Sequence, residues 1–279
     1  MTPLHKVLIA VLIASLVAVL MLGRVLAQEP NLPPEWFPDR APSVEGEAIS
    51  FCVDARQPGY ELHRALAQAI GDILLLEAIL VDVDRTVTTE AEFEHLYVDL
   101  IDRCTAYMGF KLYPGAYPNW LIFTRPLYEA RFVAITRPNG AERLEELPPG
   151  TPVGAVQGSM GDIRFLTFNN AQRASERRQR LPLGTPTLAL AALSDGVVEA
   201  LIIWEPWWAA LEGSNPDYAE FRLLDAPIVS EPWIPMGAAL AADRGAIQFL
   251  IDQALAELHA DGTIAELLEE FGFPGRSTR

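Results

Sequence analysis

Short apolar runs alternate with longer amphipathic ones along this chain, stop at a stretch rich in glycine and proline, and then alternate again. Residues Ala48–Asp54, 78–83, 105–110 and 131–136 have the length and apolar content of strands. Between the first three, 60–76 carries Leu62, Leu66, Ile70, Ile73 and Leu74 at helical spacing, and 91–103 does the same with Phe93, Leu96, Tyr97 and Leu100. Strands joined through helices run mostly parallel, with the helices covering the sheet. The pattern predicts an α/β fold.

The interruption at 138–150 is followed by a strand at Pro152–Val156, helices at 161–174 and 188–195, and a fully apolar strand at 198–203. These form a second α/β unit. The tail, 237–241 followed by helical 246–259 and 263–271, lacks a sheet of its own to cover and is expected to return to the first unit. Two crossovers are therefore predicted, near 137–151 and 225–236. The expected organisation is a first lobe over 48–137, a second over 138–234, a return to the first over 235–273 and a tail over 274–279. A cleft between two such lobes is the usual place for a small-molecule site.

Residues 1–27 stand outside this pattern. Lys6 precedes an uncharged apolar run over 7–22, and Val25-Leu26-Ala27 offers the small residues of a signal-peptidase site. A cleaved secretory leader is expected, leading to a periplasmic protein. The alternative is an uncleaved anchor, since the run approaches spanning length. The entry that follows, 28–47, holds five prolines between 29 and 43 and is expected to be disordered. Loss of Lys6 and Arg24 with the leader takes the formal charge from −16 to −18, which disfavours nucleic acid and anionic membrane as partners. Cys52 and Cys104 are the two cysteines, an even pair that an oxidising compartment favours as a disulfide. The scattered histidines show no metal-ligand spacing, and Asp82, Asp84, Glu90, Glu92 and Glu94 lack the glycine of a calcium loop. No metal or cofactor is expected.

Several segments in their shared order resemble the extracellular solute-binding proteins that serve amino-acid ABC transporters (family 3). They are GYELHRALAQAIG at 59–71, DRCTAYMGF at 102–110, FTRPLY at 123–128, TPVGAVQGSMGD at 151–162, ALAALSDGVVEALIIWEP at 189–206 and ALAELHADGTIAELLEEFG at 254–272. The resemblance covers 48–273. It implies a two-lobed type II periplasmic binding protein with two crossovers, an ABC permease as partner and a monomeric state. Cys52, Cys104 and Thr124-Arg125-Pro126 also resemble a branch encoded with periplasmic methanol or other quinoprotein dehydrogenases, although Thr105 departs from its pattern. In this family the first and third strands are neighbours, so the resemblance implies a Cys52–Cys104 bond.

The departures bear on the ligand. Tyr117 stands where family members that hold free amino acids place the arginine that clamps the carboxylate, so the bidentate fork is absent. Trp204 stands where an acidic residue would take the ammonium, with Glu205 one step on, and the loop after the first strand is shortened to Ala55-Arg56-Gln57-Pro58. A standard α-amino acid is a poor fit. Lys111, leaving a strand end beside Phe110, is the most plausible cation, or else a solvated surface lysine. Gln157-Gly158-Ser159-Met160 ends a strand and opens a helix, where backbone N–H groups suit an anion; ordinary capping by Ser159 explains it equally. Of the tryptophans in Trp204-Glu205-Pro206-Trp207-Trp208, Trp204 at the strand end is the candidate wall for a flat ligand, with core packing as the alternative.

The expected ligand-binding set is thus Arg56, Phe110, Lys111, Tyr117, Gln157, Gly158, Ser159, Met160, Trp204 and Glu205. The expected function is non-catalytic binding of a small, flat or partly apolar acidic ligand by lobe closure. Two alternatives stand beside it: an accessory protein of a quinoprotein (methanol-type) dehydrogenase, and a cyclohexadienyl dehydratase-like enzyme using Glu205 and Lys111 as acid–base groups.

Overall fold

A computed structural model describes residues 47–84, 90–115 and 117–278, the side chains of 90–92 excepted. The expected leader and all but the last residue of the proline-rich entry lie outside the described residues. Two sheets organise the chain. The first half supplies β1 (Ala48–Asp54), α1 (Tyr60–Leu74), β2 (Glu77–Val83), α2 (Glu90–Asp102), β3 (Ala106–Lys111), β4 (Leu121–Phe123) and β5 (Tyr128–Ala130). The second half supplies β6 (Phe132–Thr136), β7 (Pro152–Val156), α3 (Met160–Ala171), β8 (Gln179–Leu183), α4 (Pro186–Ser194), β9 (Ala200–Trp204), α5 (Glu205–Glu212), α6 (Pro216–Ala219), β10 (Arg222–Leu224) and α7 (Pro227–Ser230). The tail supplies β11 (Ile234–Ala241), α8 (Gly245–Ala260) and α9 (Thr263–Glu270).

The first sheet has the order β2-β1-β3-β11-β4, with β5 also on β11. The β1 strand runs parallel to β2 and β3, and β11 runs antiparallel to β3, β4 and β5. The second sheet has the order β10-β6-β9-β7-β8. All five residues of β9 are buried, as a central strand covered on both faces requires. Ser159 and Thr185 cap α3 and α4, each accepting a backbone N–H of the first turn, and Pro186 pre-sets the start of α4.

The tail enters the first sheet as the interior strand β11, between β3 and β4. One boundary differs from the sequence reading. The strand expected at the end of the first lobe is β6, and it lies in the second sheet between β9 and β10. Its five residues are all buried, so its apolar pattern carries no information about which sheet it joins. The first crossover is accordingly the single residue Arg131, and 138–150 is a connection within the second lobe. The return crossover, 231–233, falls inside the expected window. Cys52 in β1 and Cys104, two residues before β3, are disulfide-bonded with Cα atoms 5.5 Å apart.

Candidate functional site

The site begins with a glycine. Gly109 in β3 has φ +75°, a backbone conformation costly for other residues. There β3 carries one residue more than β11: Phe110 pairs with Gly237 and Tyr107 with Ala239, which leaves two residues opposite one. Such a bulge shifts the alternation of side chains. Ala106 and Met108 face the main core, Tyr107 and Phe110 face the disulfide side, and the extra residue returns Lys111 to the Met108 face. Nothing bulkier fits, because a Cβ on Gly109 would lie 2.2 Å from Cε1 of His63 on α1.

On that face Lys111 meets the other lobe. Its Nζ lies 4.8 Å from the centroid of the Trp204 ring, at the end of β9, a cation–π contact across the two sheets. Trp204 is 6% exposed and packs edge-on against Phe132, its register partner on β6, at 4.9 Å. Beneath, His63 Nε2 shares a 2.6 Å hydrogen bond with the Tyr128 hydroxyl, while its buried Nδ1 has no partner. Burial, with the Lys111 charge added, lowers the His63 pKa to about 4, so the ring is neutral at pH 7. Burial lowers Lys111 itself to about 8, and among the described residues no carboxylate pairs with it. Lys111 is a partly buried cation with no carboxylate partner among the described residues.

The other candidates fall into place around this contact. Phe110 is buried in a ring cluster with Tyr107, Tyr117 and Phe123, so it packs and does not line the cleft. Tyr117 belongs to the same cluster, and its hydroxyl donates to the Lys111 carbonyl; burial raises its pKa to about 12. It buttresses the Lys111 backbone. Arg56 is exposed and pairs with Asp54 at 3.6 Å. Met160 packs on the main core.

At the strand-to-helix turn the anion position is already filled from within. Gly158 N–H donates to the Asp162 carboxylate at 3.0 Å, Ser159 Oγ accepts the Asp162 N–H, and Arg180 holds the same carboxylate at 2.6 and 2.7 Å. Gln157 and Gly158 are exposed. Gly161 lets the helix start approach Phe132, since a Cβ there would lie 2.7 Å from the ring. The arginine run 173–180 is likewise engaged: Arg178 is buried against the Leu147 and Glu145 carbonyls, and Arg177 donates to Asn170 and Gln172.

Glu205 is committed to the first crossover. Its carboxylate accepts Arg131 Nε at 2.8 Å and Nη2 at 3.3 Å, and its N–H donates to the Arg131 carbonyl. Arg131 also lies over Trp233 of the return crossover at 4.7 Å, and Arg276 covers the ring at 4.4 Å. Sequence reasoning missed this Arg131–Trp233–Arg276 stack, and the signal, a lone tryptophan beside Pro232 and distant arginines, was too sparse to find it. It also missed His63 and Tyr128. A separate cavity of about 380 Å³ takes walls from both lobes, at Gln57–Leu62, Pro206, Ala209 and Ala210, and 271–274. Glu61 is its one charged lining residue, so the uncompensated cation lies elsewhere.

No protein-family model matches the chain, and no curated protein matches it by sequence. Solved structures match its fold. An arginine third transport system periplasmic binding protein from Legionella pneumophila is 17% identical, with TM-score 0.57, over 80% of this chain and 99% of that one. The substrate binding protein of an amino acid ABC transporter is 14% identical, with TM-score 0.56, over 80% and 98%. An ancestral amino acid-binding protein, a precursor of cyclohexadienyl dehydratase, is 14% identical, with TM-score 0.57, over 81% and 95%. The chain has the two-lobed type II periplasmic binding protein fold, with a crossover at Arg131 and another at 231–233.

Proposed function

We propose that this chain is a periplasmic solute-binding protein that closes its lobes on a small acidic ligand and delivers it, as a monomer, to an ABC-type permease. The observation that carries the reading is the meeting of Lys111 and Trp204 across the cleft: a partly buried cation with no carboxylate partner among the described residues, set on a flat apolar surface. A cation that burial penalises is kept where an anion completes it. The permease and the compartment rest on what the fold neighbours are described as doing. The test is native mass spectrometry of protein from its own periplasm for retained small molecules, followed by thermal-shift measurements with small carboxylic acids. Binding that is lost in both Lys111→Met and Trp204→Phe supports the reading. A ligand held at full strength by both variants sinks it.

The Cys52–Cys104 disulfide favours one second reading, the accessory protein of a quinoprotein (methanol-type) dehydrogenase. Co-purification of a dehydrogenase from a methylotrophic periplasm would establish it. A dehydratase-like activity has less behind it. Glu205, the proposed acid–base group, is locked by two hydrogen bonds to Arg131, and His63 faces Tyr128 in the core.

A further inference from the structure

The charge inventory around the cleft goes beyond an acidic ligand in general. Three carboxylates stand near the strand ends that face the cleft, and each is already engaged. Glu205 is held by Arg131, Asp162 by Arg180 and the Gly158 N–H, and Asp54 by Arg56 and its own loop N–H. The titratable groups in closest register with Lys111 bring no negative charge. His63 is neutral, and burial keeps the Tyr113 and Tyr117 phenols protonated well above the ordinary range. A ligand ammonium entering here would lose its hydration, find Glu205, Asp162 and Asp54 already engaged, and stand beside the Lys111 ammonium. A ligand carboxylate would find the reverse.

We propose that the site selects a planar monocarboxylate that bears no ammonium or other cation, with Lys111 taking the carboxylate and the Trp204 ring the planar body. In the free protein the Lys111 ammonium occupies the face of the ring. Pairing with a carboxylate draws the ammonium toward the anion and leaves that face for the ligand, so the two recognition steps are linked. Arg131 and Arg180 take no part, because each is already saturated by its own carboxylate. The inference rests on the proposed binding function and narrows it to a class of ligand.

Matched probes separate the two. Calorimetry on the full mature protein would compare 3-phenylpropionate with phenylalanine, and indole-3-propionate with tryptophan; each pair differs only in the ammonium. The carboxylates should bind about tenfold or more tightly than their amino-acid counterparts, the scale of one charged hydrogen bond made or one charge left unpaired. Lys111→Met should remove that preference. An amino acid that binds as tightly as its deaminated partner, in a manner that requires Lys111 and Trp204, would overturn the selectivity while the binding function stands. If no carboxylate or amino acid binds and the periplasmic protein carries no small molecule, both fall together.

Discussion

Neutralising Lys111 should make the protein more stable while abolishing binding. The Lys111 pKa falls from 10.5 to about 8 through burial. That fall is a penalty of about 3 kcal/mol on the charged form in the folded protein. The contact with Trp204 returns about 0.5–2 kcal/mol of it. Methionine keeps the length and the apolar stem, so Lys111→Met should gain about 1–2 kcal/mol at pH 7. The pH dependence gives the sign a second check. Near pH 7 both folded and unfolded chains carry the proton, and the penalty is fully present. Between about pH 8 and about 10.5 the folded state has released the proton while the unfolded state still holds it, so the wild-type protein gains stability as pH rises. The variant lacks that gain. Urea unfolding of both proteins near pH 7 and near pH 9.5 measures the gap. A variant less stable than wild type at pH 7, or a gap that does not narrow on the alkaline side, would refute the reasoning.

Three further outcomes follow from the same geometry. His63, lowered to about 4, stays neutral in the fold while the unfolded chain takes up its proton near 6.5; stability should therefore fall by about 3 kcal/mol between roughly pH 6.5 and pH 4. His63→Gln should flatten that acid limb in urea titrations, and an unchanged limb would assign it to other groups. Gly109→Ala places a methyl 2.2 Å from His63 at φ +75° and should cost about 2–5 kcal/mol in the same assay, with partial rescue when His63 is also reduced to alanine. The Cys52–Cys104 bond closes a 52-residue separation, so Cys52→Ala with Cys104→Ala should lower stability by about 2–4 kcal/mol. Thiol labelling of unfolded, unreduced wild type should find no reactive cysteine, and two labelled thiols would contradict the bond.

The parts of this fold that were legible in the sequence are those where pattern and position agree. The helix over Tyr60–Leu74 shows its buried stripe at helical spacing, and β1, β7 and β9 are short apolar runs bounded by breakers. Edge elements were not legible. The β8 strand reads Gln-Arg-Leu-Pro-Leu, with a charge and a proline that a central strand would not tolerate, and β4, β5 and β10 are three residues each. Helix α5 hides behind Glu205-Pro206, which reads as a break but is the proline-tolerant first turn.

The site divides in the same way, and the division has a physical cause. Lys111 and Trp204 were singled out because both end strands, and strand ends collect at the cleft whatever the detail of the packing. Gly158 and Ser159 have the right local shape for an anion, but a distant residue decides whether the place is free: Arg180 brings the Asp162 carboxylate into it. Glu205 was lost as a free acid for the same reason, since its partner Arg131 is 74 residues away in sequence. Most consequential is Gly109. Plain alternation from Tyr107 would send Lys111 to the disulfide side and Phe110 to the opposite face. The bulge, which depends on a glycine accepting positive φ against His63, turns it to face Trp204. Lys111, a cation with no carboxylate partner among the described residues, is therefore placed by a backbone conformation, and the Gly109→Ala variant tests that directly: it should lose carboxylate binding even in the His63→Ala background, where the clash is relieved but the side chain still opposes positive φ.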